Sequence, residues 1–300
     1  MITGFETHRV DVGGVRVHAE VGGSGPPVLL LHGYPQTHAM WHRVAPVLAE
    51  RFTVVAPDLR GYGDSGKPAT TVTHEPYGKR AMAGDVVGLM RHLGHERFAV
   101  VGHDRGARVA HRLCLDHEER VERAAVLDVV PTRHVFATAD RAMATAYYHW
   151  FFLAQPEPLP EKLIGADPVW FLRRKLGHWS AARGDLGVFD PAAVAEYERC
   201  FADPATVHAS CEDYRAAASI DLGHDDADAD AGRRVRAPLL ALWGAEGFVG
   251  RHYDVLDVWR EYADDVSGEV VPGGHFLPEE APRETTRLLL DFLDGPVPAR

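Results

Sequence analysis

The 300-residue chain is predicted to form an α/β fold, a mostly parallel twisted sheet flanked by helices and interrupted by a helical insertion. Short continuous apolar runs alternate with helical periodicity over residues 1–130, as strands buried on both faces require. From 131 to 220 the chain is helical and aromatic, and the alternation then resumes. We therefore expect a core of residues 1–130 and 221–300 and a helical cap domain at 131–220.

The first half of the chain supplies most of the predicted sheet. Apolar and polar residues alternate from Val10 to Val21 around Gly13-Gly14, which predicts a β-hairpin. Apolar residues at helical spacing predict an amphipathic helix from Met82 to Leu93. The other predicted elements are strand Pro27–Leu31, helix Trp41–Glu50, strand Phe52–Ala56, strand Phe98–Val101, helix Ala107–Asp116 and strand Ala124–Leu127.

The second half begins with an acidic segment of small residues, Asp225 to Gly232, which is typical of a solvated linker. The strand and helix pattern then returns, without any internal repeat. Its predicted elements are strand Pro238–Trp243, helix Val255–Tyr262, strand Glu269–Val271 and helix Thr285–Leu293.

Composition excludes several classes of partner. A formal net charge of -11 makes nucleic acid and anionic lipid poor candidates, and an anionic substrate would need a local cationic site. Three widely spaced cysteines, Cys114, Cys200 and Cys211, show neither a disulfide framework nor zinc spacing. Because no apolar run reaches the ~18 residues of a membrane helix and the first residues lack a signal sequence, we expect a cytoplasmic protein.

The segment Gly102-His-Asp-Arg-Gly106 lies between a predicted strand and a predicted helix. It matches the Gly-x-nucleophile-x-Gly elbow of the α/β-hydrolase fold, with Asp104 where a serine often lies. The alternative is a glycine-rich turn with an N-capping aspartate. An aspartate that attacks saturated carbon forms an ester that water can cleave, whereas a serine would leave a stable ether. Asp104 therefore favours attack on carbon–halogen bonds or epoxides.

The ester would need an activated water and donors for its oxyanion. His275 follows the last predicted strand, where this fold places the histidine of its catalytic triad. Asp128, directly after a strand, is the preferred acid to orient it, and Glu246 is the rival. The backbone amides of Tyr34 and Arg105 are the expected oxyanion donors.

These motifs, with His32-Gly-Tyr-Pro-Gln36 before them, resemble the fluoroacetate dehalogenases over nearly the whole chain. The resemblance implies a 2-halo acid substrate, no metal or organic cofactor, and a possible homodimer. It also implies that Arg105 and Arg108, three residues apart at a helix start, bind the substrate carboxylate. Further matches are Tyr62, Ser65, Trp243-Gly244 and His252-Tyr253, while Tyr34 stands where some members have phenylalanine.

The leaving halide is expected to be bound by His149, Trp150 and Tyr214, the trio that the resemblance implies. Trp179 is a further pocket candidate. Packing within the cap is the alternative explanation for these aromatic residues. Arg112 lies on the same helix face as Arg105 and Arg108, so a solvent-exposed basic face is the alternative explanation for these arginines.

The sequence thus predicts displacement of halide by Asp104, with inversion, followed by ester hydrolysis through His275. Two alternatives remain open. An epoxide hydrolase would use the same Asp104 with Tyr147, Tyr148 or Tyr214 as acids, although Arg105 argues against it. The second alternative is a non-catalytic receptor on the same fold, and the intact set of Asp104, Asp128 and His275 argues against it.

Overall fold

A computed structural model describes residues 2–295, and every structural statement below concerns that range. Its eight strands are β1 (Glu6–Val12), β2 (Val15–Gly22), β3 (Pro27–Leu31), β4 (Thr53–Pro57), β5 (Phe98–His103), β6 (Val121–Leu127), β7 (Leu239–Gly244) and β8 (Val266–Val271). They form one sheet in the order β1-β2-β4-β3-β5-β6-β7-β8. β2 pairs antiparallel with β1 and β4, and the remaining neighbours are parallel. The fold class predicted from the sequence is confirmed.

The helices outside the insertion cover the sheet. They are α1 (Ala45–Leu48), α2 (Lys79–His92), α3 (Arg105–Asp116), α11 (Ile220–Asp230), α12 (Phe248–His252), α13 (Val255–Tyr262), α14 (Leu277–Glu280) and α15 (Pro282–Leu293). Short 3-10 helices cover His38–Trp41 and Glu75–Tyr77. The predicted helix Trp41–Glu50 is therefore shorter than expected, since only α1 is α-helical there and Pro46 lies in its first turn.

The insertion between β6 and α11 contains α4 (Thr132–Ala137), α5 (Arg141–Ala146), α6 (Tyr148–Leu153), α7 (Leu159–Gly165), α8 (Pro168–Trp179), α9 (Pro191–Phe201) and α10 (Pro204–Ala217). Three of them begin at an Asp-Pro pair. The carboxylates of Asp167, Asp190 and Asp203 accept hydrogen bonds from first-turn amides, and proline follows each at the position where an amide is not needed. The division into a cap at 131–220 and a core stays a prediction.

The central strands are hydrophobic because they are buried on both faces. Every residue of β5 is buried, and β3 is buried from Val28 to Leu31. Parallel strands end at the same edge of the sheet, so the residues that follow β3, β5, β6 and β7 are brought together there.

The acidic segment is the main error of the sequence prediction. Asp225 and Asp228 belong to α11, and no loose linker is present there. Arg112 on α3 binds the Asp225 carboxylate at 2.6 Å and the Asp228 carboxylate at 2.5 Å. The negative charges that would favour a solvated chain are neutralised by an arginine more than a hundred residues earlier. No helix in residues 2–295 has the length and apolar character needed to cross a membrane.

Candidate active site

Asp104 lies at the turn between β5 and α3. Its backbone has φ 47° and ψ −113°, a strained conformation for a residue with a side chain. Gly102 and Gly106 permit this turn, because a Cβ on either would lie 2.4–2.6 Å from neighbouring backbone atoms. The turn leaves the Asp104 side chain 10% exposed at the carboxyl end of the sheet. Its carboxylate is thus accessible within an otherwise buried setting.

His275 lies between two carboxylates. Its Nδ1 is 2.7 Å from Oδ2 of Asp128, and its Nε2 is 4.0 Å from Oδ2 of Asp104. The other Asp128 oxygen accepts a hydrogen bond from the Gly244 amide at 3.0 Å, which holds the carboxylate in place. Glu246, the rival acid, is exposed and makes no recorded hydrogen bond with His275.

Asp104 and His275 each stabilise the charged form of the other. Burial alone would raise the pKa of Asp104, but the charge of His275 and those of neighbouring cationic groups outweigh it and hold that pKa below its usual value. Burial alone would lower the pKa of His275, but the Asp128 hydrogen bond and charge, with the charge of Asp104, raise it above 6.5. The predicted nucleophile is therefore an ionised carboxylate next to an imidazole of raised basicity.

One of the two predicted oxyanion amides contacts the Asp104 carboxylate directly. The Tyr34 amide donates to Oδ1 of Asp104 at 2.9 Å. No comparable hydrogen bond from the Arg105 amide to that carboxylate is present in the described range. The His32 side chain has a structural role, since its Nδ1 donates to the Gly33 carbonyl and its Nε2 accepts from the Leu59 amide.

Arg105 is fully buried and strongly paired. Its Nε and Nη2 donate to the two carboxylate oxygens of Asp213 at 3.0 and 2.5 Å. Asp213 also accepts from Lys79 and from the Tyr62 hydroxyl, so its charge is shared between two cations. The Nη1 of Arg105 has no hydrogen-bond partner among residues 2–295. Arg105 therefore offers its Nη1, which carries two N–H bonds, and not the whole fork that the sequence suggests.

Arg108 is buried without a carboxylate partner. Its Nη1 donates to the Val130 carbonyl and to the Thr132 hydroxyl, each at 3.0 Å, and its Nε is unpartnered among the described residues. Burial and the nearby charge of Arg105 lower the pKa of Arg108 to about 10, so it remains a cation at neutral pH. Arg112, by contrast, turns toward α11. The helix face that looked uniformly basic is thus divided between two sites.

Four aromatic residues of the insertion gather beside these arginines. The Tyr214 ring lies 4.3 Å below the Arg105 guanidinium and the Trp150 ring 4.5 Å from that of Arg108. His149 lies 5.5 Å from Tyr214 and 4.5 Å from Trp179 between ring centroids. Three polar atoms of this group have no partner in the described range, Nδ1 of His149, Oη of Tyr214 and Nε1 of Trp179. Buried polar atoms without partners are rare, so this group is a candidate site for a hydrogen-bonding ligand.

His149 is held neutral. Burial, with the charge of Lys175 next, lowers its pKa well below 6.5. Lys175 is itself buried among the rings of Tyr148, Phe171 and Trp179, with Nζ 3.9 Å from the Tyr148 ring centroid. Burial lowers the pKa of Lys175 to about 7. The sequence reasoning did not single out Lys175, and its helix carries no motif that would have indicated it.

A cavity of about 310 Å³ leads to this group from the surface. His275, Trp179, Tyr147 and Phe248 line it, with Arg183, Arg251 and Glu246 among its more exposed residues. Asp104 does not line this cavity, but His275 does, so the cavity reaches the imidazole. Arg183 and Arg251 outnumber Glu246 among its charged residues, which gives the cavity a cationic character on an acidic protein.

Asp213, Lys79 and His103 were also missed from the sequence. His103, next to the nucleophile, bonds through Nε2 to the His275 carbonyl at 2.8 Å, and burial lowers its pKa to about 3. His103 is therefore neutral, and its hydrogen bond helps to hold the backbone of the loop that carries His275. Asp213 directly precedes Tyr214, but nothing local in the sequence indicates that it pairs with Arg105, 108 residues away.

A family model described as alpha/beta hydrolase fold matches residues 26–282. The chain belongs to the α/β-hydrolase family. Within it, the chain is 48% identical over 293 residues to a fluoroacetate dehalogenase of Burkholderia sp, covering 98% of this chain and 95% of that protein. The family predicted from the sequence is thereby confirmed.

Two other proteins are also similar to this chain over nearly its whole length. The crystal structure of an α/β hydrolase from Nostoc sp PCC 7120 is 56% identical, with a TM-score of 0.96 and coverage of 99% of this chain and 100% of that one. A soluble epoxide hydrolase of Corynebacterium sp. (strain C12) is 36% identical over 296 residues, 97% of this chain and 98% of that protein. Both reactions considered from the sequence thus occur among the names of its relatives.

Proposed function

We propose that the protein hydrolyses short 2-halo carboxylic acids, fluoroacetate and chloroacetate among them, to 2-hydroxy acids and halide. One observation carries the proposal. The ionised Asp104 carboxylate lies 4.0 Å from His275 Nε2 and beside two buried guanidiniums that retain unpartnered N–H groups. This proximity supports a carboxylate nucleophile for saturated carbon acting next to cations that can bind a substrate carboxylate.

The arginines would act on the carboxylate end of the substrate. Asp213 neutralises much of the Arg105 charge, whereas Arg108 has no carboxylate partner, so Arg108 supplies the larger share of the net attraction. The free Nη1 of Arg105 and Nε of Arg108 would donate to the two substrate oxygens. With that end held, the α-carbon faces Asp104 and is attacked from the side opposite the halide.

The halide would leave toward the aromatic residues of the insertion. Neutral His149, Trp150 and Tyr214 can each donate an N–H or O–H to developing negative charge. Fluoride gains most from such donors, because it is strongly basic as it leaves. Trp179, whose Nε1 is also unpartnered, would complete the wall of this pocket.

Hydrolysis of the aspartyl ester would follow. His275, oriented by Asp128, takes a proton from water that attacks the Asp104 carbonyl, and the Tyr34 amide stabilises the oxyanion. The Arg105 amide would donate a second hydrogen bond to the oxyanion only after a small movement of the ester oxygen. The His275 imidazolium then gives this proton to the alkoxide oxygen of the departing 2-hydroxy acid, so Asp104 is released as a carboxylate and the starting state is restored.

The test is fluoride release measured by an ion-selective electrode, with chloroacetate in parallel. Asp104→Ala is expected to abolish both, whereas Asp226→Ala, at an exposed position paired with Arg133, should retain both. A single turnover in heavy-oxygen water should then label Asp104 before product. Label found in the product of the first turnover, with none in Asp104, would contradict the ester mechanism.

A further inference from the structure

The backbone around His275 is held by a carboxylate that the mechanism above does not use. His275 lies in the loop at 272–276 between β8 and α14, and its own amide donates to the Trp179 carbonyl at 3.0 Å. The amides of Gly274 and Phe276 both donate to the Glu280 carboxylate, at 2.9 and 2.8 Å. Glu280, the last residue of α14, thus binds the backbone on either side of the imidazole.

The same carboxylate also binds the insertion. Oε2 of Glu280 accepts from the Gly274 amide and, at 2.8 Å, from the Ala181 amide. Trp179 is the last residue of α8, and Ala181 follows it by two positions. The segment 179–181 is therefore joined to the His275 loop twice, through the Glu280 side chain and through the Trp179 carbonyl.

The two segments pack backbone against backbone. A Cβ on Gly274 would lie 2.5 Å from the Ala181 nitrogen and 2.6 Å from the Trp179 oxygen, so this close approach requires glycine. Between ring centroids, Trp179 lies 5.6 Å from His275 and 4.5 Å from His149. The segment therefore lies against the imidazole on one side and against the proposed halide pocket on the other.

The partners of Glu280 indicate a role in holding the loop. Its three hydrogen bonds come from backbone amides, and it forms no salt bridge with a cation within residues 2–295. Burial alone would lower the pKa of His275, and the charge of Glu280 is the last of the causes that raise it, after Asp128 and Asp104. The contact of Glu280 with the loop is thus direct, whereas its electrostatic effect on the imidazole is secondary.

We propose that Glu280 is a positioning residue for hydrolysis of the aspartyl ester, which it serves by holding the His275 loop against the segment 179–181. The inference deepens the proposed function and rests on it for the ester. Attack by Asp104 on the substrate needs no base, so ester formation should not depend on this contact. Ester hydrolysis depends on it, because His275 must take a proton from water at the ester carbonyl, and a misplacement of about 1 Å can cost about 100-fold in rate.

The kinetic test uses Glu280→Gln, which keeps the size of the side chain but replaces one acceptor oxygen with an NH₂ group that faces amide donors. Single turnovers with fluoroacetate, quenched and followed by mass spectrometry of the Asp104 ester, give separate rates for ester formation and decay. We expect formation within about two-fold of the native rate and decay slowed about 10–100-fold. The control is Glu284→Gln on α15, a half-exposed glutamate paired with Arg287, which should keep both rates. Native decay in Glu280→Gln, or equal losses in both steps, would overturn the positioning role.

Glu280→Asp separates contact from charge. This variant keeps the negative charge but shortens the side chain by one methylene, so it cannot reach all three amides at once. We expect slow ester decay here as well. Native decay in Glu280→Asp beside slow decay in Glu280→Gln would assign the effect to charge and refute the holding of the loop.

A measurement without substrate distinguishes this inference from the proposed function. The proton between His275 Nδ1 and the Asp128 carboxylate, which are 2.7 Å apart, should give a downfield NMR resonance in the native protein. In Glu280→Gln it should exchange with water at least about ten-fold faster, and in Glu284→Gln at the native rate. Equal exchange in all three proteins would overturn the positioning role. Faster exchange in Glu280→Gln, with no ester formed by the native protein from either halo acid, would overturn the proposed function and leave the hold on His275 supported.

The native protein supplies the remaining measurement if neither Glu280 variant folds. The amides of Gly274, Phe276 and Ala181 should then be followed by hydrogen exchange. Slow exchange of all three would support the contact, whereas exchange as fast as in an unstructured chain would overturn it.

Discussion

Asp128→Asn is expected to arrest the enzyme at the ester stage. The substitution preserves shape but replaces the oxygen that binds His275 Nδ1 at 2.7 Å, or the one that accepts from the Gly244 amide, with an NH₂ group. A hydrogen bond to a charged group is worth about 1.5–3 kcal/mol. Since about 1.4 kcal/mol is a factor of ten, lost stabilisation of the imidazolium slows hydrolysis about 10–150-fold. A wrong tautomer at His275 would raise that loss toward ~10⁴-fold.

The first step should survive, because Asp104 remains ionised and attacks without a base. Rapid-mixing fluoride measurements should therefore show a burst equal to the enzyme concentration, followed by slow turnover, with the ester detected by mass spectrometry. Glu246→Gln is the matched control, since that carboxylate is exposed, and it should turn over within two-fold of the native protein, roughly the spread expected for a surface change. A native steady-state rate for Asp128→Asn, or a burst seen only in Glu246→Gln, would refute this assignment of the acid.

Three further predictions address the titration of His275, the ion pairs of Asp213 and the space around Gly33. His275 should titrate above pH 6.5 in NMR spectra of the free protein. Single-turnover ester hydrolysis should fall with decreasing pH through a lower pKa of His275, because the ester removes the charge of Asp104; equal values would contradict this coupling. Asp213→Asn should lower the free energy of unfolding in urea by about 3–5 kcal/mol, since it leaves buried Arg105 without a carboxylate and Lys79 with only the longer Asp221 pair at 3.9 Å among the described residues. Asp226→Asn, at an exposed pair, should lose less than about 1 kcal/mol, and similar midpoints for both variants would be inconsistent with this network. Gly33→Ala would place a Cβ 2.5 Å from the Cβ of Asp104, and the resulting displacement should reduce kcat/KM about 100-fold. The control is Gly84→Ala in α2, whose added Cβ would have no atom within 4 Å. This variant should keep the native rate and gain up to about 1 kcal/mol of stability.

The features of this protein that depend on neighbouring residues alone could be predicted from the sequence. The alternation of buried strands and amphipathic helices predicts the sheet, because period and burial are properties of a short window of sequence. The elbow is predicted for the same reason. Gly102 and Gly106 are needed by the immediate surroundings of Asp104, and the strand before and helix after complete the motif.

The three-dimensional arrangement decided the partners of charged groups. Asp128 and Glu246 both follow strands, but only coordinates place one carboxylate 2.7 Å from His275 and the other at the surface. The acidic segment at 225–232 looked like a linker, because its composition was considered without the arginine that neutralises it. Ion pairs of this kind join residues about a hundred positions apart, so no window of sequence contains both members.

The sequence by itself therefore determined the fold, the elbow and a short set of residues that could meet at one sheet edge. Only the tertiary structure decided which of these residues meet. Within residues 2–295, it pairs Arg105 with Asp213 and leaves Arg108 without a carboxylate partner. The physical reason is that burial and periodicity act along the chain, whereas the strength of a charge or donor depends on the groups that fold around it.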